Sequence, residues 1–161
     1  MEVRKSNTMI CKTCNGTGRV KKSKTLKKAL SNCKFVIINP EITEKHFPMS
    51  ESVSDIEKMS AMNVRDLGGI IDCLYERQEI ENSIKERGYR SATLSELLIY
   101  TEKKWNGVDL IMALGSSFAD KGMRGFPFIG EGFFGRELDL DWSNPGRFWL
   151  EGCKFLVIKN K

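Results

Sequence analysis

Glu137-Leu138-Asp139-Leu140-Asp141-Trp142 alternates acidic and apolar residues without a break. Successive side chains of an extended chain point to opposite faces. The pattern therefore predicts a strand with Leu138, Leu140 and Trp142 in a core and the three acids on the other face. Working outward, the Asn144-Pro145-Gly146 turn leads to a last apolar strand over Cys153–Ile158. Upstream, Val108–Leu114 and Phe126–Ile129 predict two more strands, with Gly115-Ser116-Ser117 as a polar turn. Short strands joined by Gly-rich turns predict a mainly antiparallel sheet concentrated in the C-terminal third.

Helical periodicity precedes this sheet. Thr93 and Glu96 form a capping-box pair, and Leu94, Leu97, Leu98, Thr101 and Trp105 recur at helical spacing up to Asn106-Gly107. Ile70 to Arg87 reads as another helix closed by Gly88, with Cys73 as an ordinary buried residue. A third helix is expected from about Ser52, where Val53, Ile56, Ser60, Val64 and Leu67 make a stripe ended by Gly68-Gly69. Met59 and Met62 are expected to fill the core. Phe35–Ile38 reads as a strand stopped by Asn39-Pro40, and Leu26, Ala29 and Leu30 as the apolar side of a short helix. The expected fold class is α+β, with helices packed on the sheet.

The 161 residues carry 40% hydrophobic and 29% charged side chains, the composition of a globular protein and not of a disordered or collagenous one. No apolar run reaches the length of a membrane span, and no secretory signal is evident. Membrane integration is therefore not expected. The formal charge of +5 is unevenly spread: residues 1–34 hold ten basic groups and one acid, and the remainder is mildly acidic. The expected division is a basic arm over 1–33 and a single α+β domain over 34–161. Lys21, Lys22, Lys24, Lys27 and Lys28 have the density expected of phosphate contacts, so nucleic acid is a candidate partner. A solubilising tail is the plainer alternative.

Cys11-Lys12-Thr13-Cys14-Asn15-Gly16-Thr17-Gly18 lies within that arm. Its CxxC spacing can set two thiolates on one tetrahedral zinc, and the glycines allow a tight turn. The string resembles one CxxCxGxG unit of the zinc-binding region of J-domain co-chaperones. That family pairs such units and uses the region to bind unfolded protein. The resemblance covers residues 11–18, without a second unit or a J domain, and implies a zinc-knuckle geometry. Zinc could be completed by Cys33 and His46, or shared by Cys11 and Cys14 of two chains. A redox pair and free, incidental cysteines also remain open. Five cysteines cannot all pair internally, which suits a reducing, cytoplasmic setting.

Candidates for chemistry are sparse. The Gly115–Ser117 loop has neither nucleophile-elbow nor Walker spacing. Asp139 and Asp141 share a strand face and could converge on a cation, although a solvated outer face explains the same alternation. Six of the nine phenylalanines lie between Phe118 and Phe148. Phe126, Phe128, Phe133 and Phe134, with Arg124, Arg136 and Arg147, could form an interaction surface for a peptide or for bases; core packing is the plainer reading. The expectation is a nonenzymatic interaction module, zinc-binding and weakly nucleic-acid-binding through its arm. The alternatives are an enzyme using the Asp139/Asp141 strand or the Gly115–Ser117 loop, and a structural or regulatory protein-binding protein.

Overall fold

Thr93 starts the helix that organises one side of the molecule. In the computed structural model, which describes residues 25–50, 53–68, 75–143, 148–149 and 153–160, Thr93 Oγ1 accepts from the Glu96 N–H at 3.4 Å. The Glu96 carboxylate accepts from the Thr93 N–H at 3.0 Å. The expected capping box is present.

In chain order the elements are α1 (Leu26–Cys33), β1 (Ile37–Ile38), a single 3-10 turn (Ile56–Lys58) and β2 (Met59–Asn63). Next come β3 (Tyr75–Glu76), α2 (Arg77–Glu86), β4 (Tyr89–Ser91), α3 (Leu94–Lys103) and β5 (Ile111–Met112). The last third holds β6 (Phe118–Asp120), β7 (Met123–Gly132), β8 (Gly135–Ser143), β9 (Phe148–Trp149) and β10 (Lys154–Lys159).

Among the described residues eight strands form one sheet in the order β1-β8-β7-β5-β10-β2, with β4 also on β10 and β6 also on β7. β1 runs parallel to β8 and β5 parallel to β10; the other pairs in this sheet are antiparallel. β3 and β9 form a separate two-stranded pair. The fold is mixed, with helices packed against a largely antiparallel sheet.

Each face of the sheet is covered. Leu138 and Leu140 of β8 and Leu156 and Ile158 of β10 join Leu26, Ala29 and Cys33 of α1 and Leu94, Leu97 and Leu98 of α3 in one core. Phe155 and Val157, pointing the other way, join Phe126, Val64, Leu67 and the α2 residues Ile80 and Ile84 in a second. The alternation expected for β8 is thus observed, with Trp142 half-buried at the edge of the first core. The core includes α1, so the folded body reaches back to Leu26 and takes in the last eight residues assigned to the arm.

Two helical expectations need correction. The stretch expected as a helix from Ser52 instead holds the 3-10 turn and strand β2; residues 51–52 lie outside the described residues. β2 pairs with β10 from Met59 opposite Ile158 to Asn63 opposite Lys154, and these ladder hydrogen bonds outweigh a loose apolar stripe. Val64 and Leu67 are buried from the turn that follows, where the Asn63 and Asp66 side chains each accept the other's backbone N–H at 2.8 and 3.0 Å. The helix expected over Ile70–Arg87 is α2 alone, ending before Gly88 at φ +78°. Tyr75 and Glu76 are strand, and Ile70–Leu74, including Cys73, lies outside the described residues. α3 also stops earlier than expected, at Lys103; Trp105 is still buried, its indole N–H donating to the Asp109 carbonyl at 2.8 Å.

Candidate binding surface

The register of β7 on β8 runs from Arg124 opposite Ser143 to Gly132 opposite Gly135. That pairing leaves Phe133 and Phe134 as the two residues of the hairpin turn. They are 96% and 70% exposed, with their rings edge to face at 5.1 Å. Gly135, at φ +118°, lets the chain re-enter the sheet; a Cβ there would sit 3.1 Å from Val36 Cγ2. The aromatic tip therefore abuts β1, whose neighbour Val36 is also exposed.

The other expected members of this surface divide by position on the hairpin. Phe126 is 1% exposed in the second core, with the Arg77 guanidinium 5.5 Å over its ring, and is not available to a partner. Phe128 is half-buried beside the same core. Arg124 is exposed on β7. Arg136 stacks on Trp105 at 5.2 Å and donates to the Cys33 carbonyl at 3.4 Å, which locks the start of β8 to the end of α1. Arg147 lies outside the described residues.

α1 explains the placement of two arm lysines. Thr25 caps it, accepting from the Lys28 N–H at 3.4 Å. With Leu26, Ala29 and Cys33 buried, Lys27 and Lys28 face outward. Lys21, Lys22 and Lys24 lie outside the described residues, as do Cys11 and Cys14. Of the other two metal candidates, Cys33 is buried, its thiol donating to the Leu98 carbonyl at 3.3 Å. His46 stacks on Phe118 with ring centroids 3.9 Å apart, and its Nδ1 lies 3.0 Å from the Glu41 carbonyl. No group of three His, Cys, Asp or Glu among the described residues could hold a metal ion.

The alternative catalytic groups have structural partners. Asp139 accepts from the Asn39 side-chain amide at 2.5 Å, tying β8 to the loop after β1. Asp141 follows it on the same face, opposite Phe126. Ser116 Oγ accepts from the Leu94 N–H at 2.8 Å and so helps cap α3. Gly115 passes so close to β4 that a Cβ would meet the Ala92 carbonyl oxygen at 2.6 Å.

Sequence reasoning missed a charged network around Asp109. Lys154 meets Asp109 at 2.6 Å, and this contact together with the Asn106 amide holds the Asp109 carboxyl below its ordinary range despite some desolvation. Burial, reinforced by the Asp109 charge, pushes the Tyr100 hydroxyl up. This network has no spacing that sequence alone would pick out, since Tyr100 lies on α3, Lys154 on β10 and Asp109 in the loop before β5.

No family model, curated protein or solved structure matches this chain. No helix among the described residues is long and apolar enough to cross a membrane.

Proposed function

We propose that this protein is a nonenzymatic binding module for nucleic acid, held by phosphate contacts from the basic segment and by stacking on the hairpin tip. The observation that carries this reading is the exposed Phe133–Phe134 pair. Two apolar rings in water serve no packing purpose, whereas each stacked base is worth about 1–3 kcal/mol in single-strand binding. The outward Lys27 and Lys28 of α1 supply charge close in sequence to β1, which abuts the tip. Lys21, Lys22 and Lys24 extend the same density.

Fluorescence anisotropy against random single- and double-stranded probes across salt concentration tests this. Replacing Lys21, Lys22, Lys24, Lys27 and Lys28 with glutamine should weaken both probes and flatten the salt dependence. Phe133→Ala/Phe134→Ala should weaken the single strand by about tenfold or more, at 1–3 kcal/mol per lost base contact, and change the duplex little. Absence of low-salt binding by the wild type sinks the nucleic-acid reading and leaves a protein-facing role.

Zinc belongs to the same proposal. With the Cys33 thiol engaged in the core and His46 stacked on Phe118, the ligation we favour has Cys11 and Cys14 of two chains sharing one tetrahedral ion. The protein would then work in a reducing, cytoplasmic setting. Metal analysis after purification without chelator should find half an equivalent per chain, abolished by Cys11→Ser/Cys14→Ser. A full equivalent per chain would favour completion within one chain, and none would remove the metal from the account.

A further inference from the structure

The turn that carries Phe133 and Phe134 stands between two other exposed apolar residues. On the β8 side, the Val36 N–H donates to the Arg136 carbonyl at 2.8 Å and holds Val36 against the strand that follows Phe134. On the β7 side, Ile111 pairs with Ile129, so the chain entering β5 passes beside the strand that leads to Phe133. Val108 lies in that chain, between Gly107 and Leu110. A Cβ on Gly107 would sit 3.7 Å from the Arg136 guanidinium, and one on Gly130 would sit 4.0 Å from Leu110 Cγ. Val36 and Val108 are 64% and 75% exposed. In strand order, this end of the sheet presents Val36, Phe134, Phe133 and Val108.

The two phenylalanine rings meet at 85°, and that angle selects the ligand. Neighbouring bases in a duplex or in a stacked single strand lie parallel, so they cannot rest flat on both rings at once. Two successive bases can do so only when they are unpaired and turned apart, the state in which single-stranded loops and ends offer bases to aromatic side chains.

We propose that this end of the sheet binds an unpaired, unstacked dinucleotide step, one base on Phe133 beside Val108 and the other on Phe134 beside Val36, with Lys34 on the adjoining phosphate. The proposal rests on the nucleic-acid reading above and narrows its ligand to flexible single strands, loops and ends. Charge gives the strand a direction. Lys34 is exposed, and the outward Lys28 and Lys27 of α1 continue the positive line towards the arm. Glu131, exposed on β7, opposes a phosphate beside the hairpin. Stacking on phenylalanine tolerates any base, so preference among strands comes from the cost of unstacking them.

Competition by oligo(dT) and oligo(dA) of equal length, read by fluorescence anisotropy, tests this. The two strands carry the same charge, so the arm's contacts cancel in their ratio, while oligo(dA) is the more strongly stacked. The wild type should prefer oligo(dT) by about tenfold, because each stacked step must be opened before it can bind. Phe133→Ala and Phe134→Ala remove no buried group. Each should weaken oligo(dT) by about tenfold, one base contact, and bring the ratio towards unity. Val36→Ser and Val108→Ser should weaken oligo(dT) several-fold. Lys34→Gln should weaken both strands equally and lower the salt slope by about 0.7, the value for one single-strand phosphate contact; Glu131→Gln should tighten both. Equal wild-type affinity for the two strands, still dependent on the arm lysines, would overturn the splayed step and leave the nucleic-acid reading standing. Phenylalanine variants that keep the preference would do the same. A wild type that binds neither strand would overturn both.

Discussion

Glu96 ties two other segments to the start of α3. Its carboxylate accepts from the Thr93 N–H, from the Arg90 guanidinium of β4 at 2.5 and 2.9 Å, and from the Ser54 N–H at 3.3 Å. Burial pushes this carboxyl up, but the hydrogen bonds from Arg90, Thr93 and Ser54 together with the Arg90 charge prevail, and it titrates below the ordinary glutamate range. A depressed folded-state value stabilises the fold in full above the unfolded value of about 4.3 and loses that stabilisation as pH falls through the folded value. Glu96→Gln should therefore cost about 2 kcal/mol near neutral pH, the scale of hydrogen bonds to a charged group. In urea unfolding the gap to wild type should narrow on acidification below pH 4; a gap of constant size would show that the charge contributes nothing. The Thr93–Glu96 half of this network was legible because both partners lie within one helical turn. The Arg90 and Ser54 half was not, since it depends on where β4 and the loop before β2 are brought. The same limit applies to the phenylalanines. Composition groups Phe126 with Phe133 and Phe134, and only the register of the hairpin sends the first into a core and leaves the other two in water.

α1 shows how an element can belong to the body while its charge belongs to the arm. Leu26, Ala29 and Cys33 are 3%, 6% and 1% exposed, and burying such side chains is worth about 1.5–3 kcal/mol for a leucine-sized group. Deleting residues 1–24 should leave a cooperative thermal transition while reducing nucleic-acid affinity. Deleting residues 1–33 should also lower stability by several kcal/mol, out of a total of order 5–15 kcal/mol, and broaden or abolish the transition. Equal stability of the two deletions would show that α1 is dispensable to the core. Lys34, which ends the helix at φ +56° where glycine is usual, also marks the boundary between helix and edge strand. Strong local patterns located α3, β8 and β10 to within a few residues. Weak ones failed at β2, where Met59 is buried but Ser60–Asn63 are all half-buried at a sheet edge and do not alternate; its state is set by β10, far away in sequence. The parallel pairing of β1 with β8 had no local trace at all, since it joins residues about a hundred positions apart.

At the scale of the molecule, one strand serves both cores. Leu156 and Ile158 face α1 and α3 while Phe155 and Val157 face α2, all at 1% exposure or less. Along its two edges β10 meets β2, β4 and β5. An uninterrupted apolar run in sequence is what burial on both faces demands, so the strand was readable, but its central place was not, because hydrophobicity names a buried strand without naming its neighbours. All three strands that pair with β10 come earlier in the sequence. During translation each emerges from the ribosome while the strand that will join them is still to be made, and their apolar residues have no sheet to enter. The nascent polypeptide must stay unaggregated through that interval. A stop codon introduced before position 154 would release a product in which both cores lack the strand they share.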